Sequence, residues 1–203
     1  MASPEWGERP PGLVTRVADR ARALFQSEPI QPKGLRELPL ALRRGPLAEA
    51  YQVAERERDH RRAAAAAVAA MDRAIADEDW WAADAWGHRG LWHFEQAEMT
   101  LQATRQARRI GDLRAAAGDP ETARRYYAEA IDEARDIGAE HEQGLAAYGL
   151  GGALLQLGRV TEARRLASAA VDLLSRAGAP AGEIIAAREL LGREVAVGET
   201  KEG

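Results

Sequence analysis

The sequence predicts an all-α protein built as a short solenoid of helical hairpins, and three observations predict it. The first is self-similarity at a shift of 40 residues. Gly118 falls on Gly158, Ala123-Arg124-Arg125 on Ala163-Arg164-Arg165, Ala130 on Ala170, Asp132 on Asp172, and Gly138-Ala139 on Gly178-Ala179. Ala107, Ile110 and Gly111 fall likewise on Ala147, Leu150 and Gly151, and the shift continues to Ala187 and Leu190 and back from Ala123 to Ala83. A fixed period of this length is the signature of stacked supersecondary units. The second observation is punctuation by glycine and proline at matching places in each unit. The third is composition: 46% hydrophobic and 30% charged residues over 203 positions suffice for the core of one domain or one elongated array.

The elements follow in chain order. Seven of the nine prolines, at 4, 10, 11, 29, 32, 39 and 46, lie in the first 46 residues, and proline both removes a backbone donor and disfavours helix in the residue before it. Residues 1–45 are therefore expected to be a proline-containing, partly flexible segment. In it the pattern predicts a helix near Leu13–Phe25, a connector over Ser27–Gly34 and a short helical turn near Leu35–Arg43. A longer helix starts near Pro46, which suits the first helical position. The helical repeat domain then occupies 46–194, its array proper starting near His60, and 195–203 form a tail.

Within each unit, Asp119-Pro120-Glu121 supplies an N-cap, a proline at the first turn and an acid matched to the helix dipole. Gly138 and Gly178 end the second helix of their units, where a left-handed residue is wanted. Small residues at Gly111, Ala123, Ala130, Gly151, Ala163 and Ala170 allow close helix approach, and Ile110, Tyr127, Ile131, Leu150, Leu166 and Val171 fill the space between. No Gly-Ala break occurs around Glu95–Thr100, which leaves open whether Trp80–Ala117 is two helices or one kinked helix.

Composition also excludes several classes of function. Of 28 basic residues only Lys33 and Lys201 are lysine, leaving 26 arginines beside abundant alanine, the bias expected of a GC-rich bacterial genome. Net charge is −4, with no concentrated basic patch of the kind phosphate contacts need, so nucleic acid is not the expected partner. The longest apolar run, Ala63–Met71, is far short of the roughly 20 residues that span a bilayer. The N-terminus has neither the basic nor the apolar region of a secretory signal, and a cytoplasmic location is expected. There is no cysteine.

The spacing Ala147-x2-Leu150-Gly151 with Gly158-x4-Ala163-x6-Ala170, and Ile110-Gly111 with Gly118-Asp119-x3-Ala123-x3-Tyr127-x2-Ala130, resembles the tetratricopeptide repeat. Met71, Asp79, Ala83, Trp86 and Gly90 fit the pattern more weakly. The period of 40 exceeds the usual 34 or so and is similar to the longer-helix variants of kinesin light chains and many bacterial signalling proteins. The first aromatic of the motif is alanine in every copy, and Ala167 replaces the second in the last full unit. The resemblance, over roughly 60–194, implies a right-handed solenoid of about three hairpins plus a terminal helix, behind an N-terminal helical extension.

It also implies binding of another protein or a peptide on the concave face lined by the first helix of each hairpin. Carried over by position, that face holds Val68 and Asp72, then Arg105, Arg108 and Asp112, then Leu145, Tyr148 and Leu155, and finally Ile185 and Arg188. Such a mixed groove with three arginines suits an extended or helical peptide bearing an acidic or carboxylate group; the alternative is that these arginines form a plain solvated face. The clamp that grips heat-shock chaperone tails needs Lys and Asn where this chain has Val68 and Asp72, so that partner is not expected.

Four tryptophans, Trp80, Trp81, Trp86 and Trp92, fall within thirteen residues. Trp81 cannot share one helical face with all the others, so at least one ring is expected near the surface as a candidate interface. The competing reading is a tryptophan-rich core beneath the proline-rich N-terminal segment. His88 and His93 lie about 140° apart around a helix and cannot chelate one metal, and His60 and His141 read as surface residues. Gly149-x-Gly151-Gly152 lacks the preceding strand of a nucleotide loop and reads as close helix packing.

No catalytic motif occurs, and no catalytic residue, metal or cofactor is predicted. The expected role is a non-enzymatic binding adaptor. Alternatives are a peptide-sensing regulator, or a homodimer joined through Trp81 or through the last helix, whose Ile184, Ile185, Leu190, Leu191 and Val195 leave a solenoid end without a polar cap.

Overall fold

The computed structural model describes residues 44–198, and among these it contains eight helices and no strand. They are α1 (Pro46–Arg56), α2 (His60–Ala76), α3 (Trp80–Gln96), α4 (Thr100–Ala116), α5 (Pro120–Asp136), α6 (Glu140–Gln156), α7 (Val160–Arg176) and α8 (Ala181–Gly198). The elements expected over Leu13–Phe25, Ser27–Gly34 and Leu35–Arg43 lie outside the described residues.

From α2 to α7 every helix has 17 residues, and a three-residue connector follows each of them except α7, whose connector, ending in Pro180, has four. One helix with its connector thus recurs every 20 residues and a hairpin every 40, the period legible in the sequence. All connectors are built alike. The residues at 58, 78, 98, 118, 138, 158 and 178 are left-handed, with φ between 55° and 78°. The next backbone N–H reaches back five residues, as from Asp119 to Arg114 (2.9 Å), Ala139 to Ala134 (2.8 Å) and Met99 to Phe94 (2.9 Å). This is the Schellman closure of a helix C-terminus.

That device settles the question left open at Trp80–Ala117. The chain does not continue as one kinked helix: α3 stops at Gln96 and α4 starts at Thr100. Glu98, at φ 55°, takes the left-handed conformation that glycine takes in later connectors. Arg58 and Glu78 do the same, at a steric cost of about 1–2 kcal/mol each. A glycine count therefore undercounts the breaks.

N-termini follow the predicted chemistry where an aspartate is present. Asp59, Asp79 and Asp119 accept the backbone N–H of Arg62, Ala82 and Thr122 at 3.0, 2.9 and 3.1 Å. Each such cap contributes about 1 kcal/mol. Pro120 occupies the first turn of α5 as expected, whereas Pro180 sits just before α8.

Each helix packs on its chain neighbours, and α6 also touches α4 and α8. The even-numbered helices thus form one layer and the odd-numbered ones the other. In α2, Ala63, Ala64, Ala66, Ala67, Ala70 and Ala74 are buried around Met71, and their small side chains let Tyr51 of α1 and Trp86 of α3 fill the interior. Further along, Ile110, Tyr127, Ala130, Ala147, Leu150 and Leu174 form the second part of the core.

Between those layers lies the closest approach to any glycine among the described residues. The Tyr127 ring of α5 passes between Gly111 of α4 and Gly149 of α6. A Cβ on Gly111 would lie 2.9 Å from the ring, and one on Gly149 only 2.4 Å. The close-packing reading of Gly149-x-Gly151-Gly152 is thereby explained for two of its glycines, since a Cβ on Gly151 would meet Leu190 at 3.0 Å. Gly152 faces open space, and no packing reason accounts for it.

Candidate functional site

The face of the even-numbered helices carries the residues that sequence reasoning selected for binding. Its α4 end is occupied by the chain itself. Glu142 of α6, only 5% exposed, accepts Arg105 Nε at 2.8 Å and Arg108 Nε at 3.2 Å. Arg108 Nη1 also reaches Asp112 at 2.8 Å, and the Tyr127 hydroxyl donates to the other Asp112 oxygen at 2.8 Å. On the neighbouring helices Arg109 pairs with Asp72. Arg105 and Arg108 are thus neither a bare solvated face nor two cations awaiting a ligand: they neutralise a carboxylate from the next hairpin and tie α4 to α6.

Towards α8 the same face is open. Leu145, Tyr148, Gly152 and Leu155 follow one another along α6 at helical spacing; Tyr148 is 37% exposed, and Leu145 and Leu155 are half-buried. On α8, the next helix of that layer, Ile185 is 52% exposed and Arg188 is exposed. His141 Nε2 and Glu183 bridge α6 and α8 at 2.6 Å.

The tryptophans divide. Trp86 is buried at 3% and meets the Tyr51 ring edge-on at 5.3 Å. Trp92 is half-buried beside the His60 and His93 rings. Trp80 and Trp81, at the start of α3, are 45% and 55% exposed. A core tryptophan exists, packed under α1, and the surface ring expected of the group is found twice, at Trp80 and Trp81.

His60, expected at the surface, is half-buried and joins a hydrogen-bonded chain that runs inward through buried His93 and Tyr51. His60 Nδ1 lies 3.0 Å from His93 Nδ1, His93 Nε2 lies 2.9 Å from the Tyr51 hydroxyl, and that hydroxyl donates to Glu55 at 3.1 Å. Donor bookkeeping allows one consistent direction with neutral rings: His60 Nδ1–H to His93 Nδ1, His93 Nε2–H to Tyr51, Tyr51 O–H to Glu55. A second proton on His93 would point at the His60 donor. Burial, His60 and Arg89 together hold His93 down at about 4. His88 faces the other way, with Nε2 2.6 Å from the Tyr126 hydroxyl and Nδ1 donating to the Asp84 carbonyl at 2.8 Å, so the two histidines do not converge.

One further group escaped sequence reasoning. Glu95 of α3 lies near Glu129 and Glu133 of α5, and burial together with those two charges pushes its carboxyl up to about 7. Glu133 is itself raised by burial, against the hydrogen bond from Thr104 at 3.0 Å. Nothing in the spacing within either helix reveals such a meeting. Among the described residues, no group of three or more histidines or carboxylates is placed to hold a metal, and no helix is long and apolar enough to cross a membrane.

Compared with known proteins, the sequence matches no family model and no curated protein.

Proposed function

We propose that this chain is a tetratricopeptide-like protein of the longer, 40-residue period, working as a non-enzymatic adaptor that binds another protein or a peptide on its even-helix face. The observation that carries this reading is the open half of that face. Tyr148 on α6 and Ile185 on α8 are exposed, Leu145 and Leu155 are half-buried on α6, and exposed Arg188 follows Ile185 by one helical turn. Contiguous apolar surface with a charged rim marks interaction sites on soluble proteins. An apolar stripe on one helix with a cation on the next suits a peptide carrying an apolar side chain and a carboxylate.

The recognition surface is accordingly Tyr148, Leu155, Ile185 and Arg188, with Arg105, Arg108 and Asp112 as its structural wall. Reversing the charge of Arg105 and Arg108 would place new carboxylates against buried Glu142 and disturb the fold, so those residues are unsuited to testing binding. A photoreactive phenylalanine analogue at 148 or at 185 should cross-link a discrete partner in lysate of the native host. The same group at exposed Ser168 on α7 should not, and adding Arg188→Glu should abolish the product. Equal cross-linking from all three positions, or none from 148 and 185, would refute the proposal.

A further inference from the structure

The exposed indoles of Trp80 and Trp81 lie apart from the face just discussed, and what surrounds them identifies an occupant. They are the first two residues of α3, capped by Asp79, and the connector before them is acidic: Asp77, Glu78 and Asp79. Asp77 is bonded by Arg73 at 2.7 Å, and Glu78 is exposed. Two adjacent half-exposed tryptophans within an acidic rim call for a ligand with an apolar face and basic flanks.

The chain itself contains such a ligand at the right end of the molecule. Two successive antiparallel packings make α1 run alongside α3, and Leu47 packs on the cluster that holds Ala82 and Ala83. Tyr51 of α1 meets Trp86 and His93 of α3, so the start of α1 points towards the end of α3 that carries Trp80. Residues 1–43 attach there, at Arg44, with seven basic and five acidic side chains, net +2. In their sequence, Leu13, Val14, Val17, Leu24 and Phe25 recur at helical spacing, and Arg16, Arg20 and Arg22 stand between them.

We propose that the segment 13–25 of this chain docks on the Trp80–Trp81 surface, its apolar stripe on the two indoles and its arginines towards Asp77, Glu78 and Asp79. Eighteen residues separate Phe25 from Arg44, and a coil of that length has a typical span of about 25 Å. The tether is thus long enough to fold back. It also keeps the segment at millimolar effective concentration, so an intrinsic affinity near 100 μM leaves only about one molecule in ten undocked.

The test is limited trypsinolysis of the full-length protein, timing cleavage after Arg16, Arg20 and Arg22 against cleavage after Lys33, which lies between the segment and α1. Trp80→Ser/Trp81→Ser exposes the segment by changing the surface. Val17→Asp/Leu24→Asp does so by changing the segment and leaves the array untouched. Proteolysis follows the population of the open form, so both variants should be cut about tenfold faster than wild type at those three sites. Equally fast cutting in all three proteins, or equally slow cutting in all three, overturns the proposal. Protection in wild type that disappears on dilution overturns it too, because a second copy would then be the occupant.

Discussion

Replacing Gly149 by alanine tests the packing of the helix layers most directly. The new Cβ would sit 2.4 Å from Tyr127 Cε1 and 2.6 Å from Cζ, against a normal carbon–carbon separation of about 3.5–4.0 Å. The ring would have to retreat by more than about 1 Å. Behind it stands Gly111, whose own missing Cβ already marks a contact of 2.9 Å, and the ring is anchored by its bond to Asp112. Overpacking of this kind costs about 1–3 kcal/mol, and losing the Asp112 bond adds about 1 kcal/mol. Removing a helical glycine returns about 1 kcal/mol. The expected net loss is about 1–3 kcal/mol. Gly152→Ala, three residues along the same helix with nothing within 4 Å of its new Cβ, should instead stabilise by about 0.5–1 kcal/mol. Urea unfolding followed by helical circular dichroism measures both. Tyr127→Leu in the Gly149→Ala background should cost at least about 1 kcal/mol less than it does alone. Equal stabilities for the two glycine variants would mean that Tyr127 does not occupy the slot.

Three further predictions follow from the same contacts. Glu78→Gly and Glu98→Gly should each raise stability by about 0.5–1 kcal/mol, because both positions are left-handed; Gly138→Ala should lower it by a similar amount, and thermal melts giving the same sign for all three would contradict the connector geometry. Stability against pH contains two opposed slopes. Neutral His93, with its proton affinity held down at about 4, contributes stability that is complete above its ordinary value near 6.5 and is lost as pH falls from there to 4. Glu95, held up at about 7, contributes in the opposite sense: stability present below pH 4–5 is lost as pH rises to 7. Glu95→Gln should therefore steepen the loss on acidification from pH 7 to 5, and His93→Gln should leave a protein more stable at pH 5 than at pH 8, each by on the order of 1–2 kcal/mol in chemical denaturation; unchanged profiles in both variants would exclude these groups as the source. At the α4–α6 junction, Arg108→Ala leaves buried Glu142 with half its neutralisation and should cost about 1–3 kcal/mol, whereas Glu142→Leu releases arginines that can reach water and should cost less than about 1 kcal/mol. Urea titrations showing the reverse order would refute the view that Glu142 is the constrained partner.

Much of the fold was legible because a repeat writes the same local instruction several times. Asp119-Pro120, Gly118, Gly138, Gly158 and Gly178 mark ends by backbone chemistry that acts within four or five residues. The end at Glu98 was hidden because a carboxylate residue carries no left-handed signal of its own; counting back from Gly118 in steps of 20 would have revealed it, together with Glu78 and Arg58. Among the candidate site residues, helical angles alone implied that at least one tryptophan ring stands near the surface, but not that Trp80 joins Trp81 there. The role of Arg105 and Arg108 did not follow from them either, because their partner Glu142 lies 37 and 34 residues away.

The sequence by itself determined the helix class, the period of 40, the start of α1 at Pro46 and the small residues at which helices meet. Each of these depends on local backbone preference or on a pattern repeated along one chain. Only the tertiary structure decided that Glu142 consumes two arginines of the presumed groove, that His60 joins His93 and Tyr51, and that Glu95 meets Glu129 and Glu133. Spacing within a helix states which side chains share a face. What stands opposite that face depends on the rotation and offset of the neighbouring helix, and those are set by packing details such as a tyrosine ring resting between two glycines.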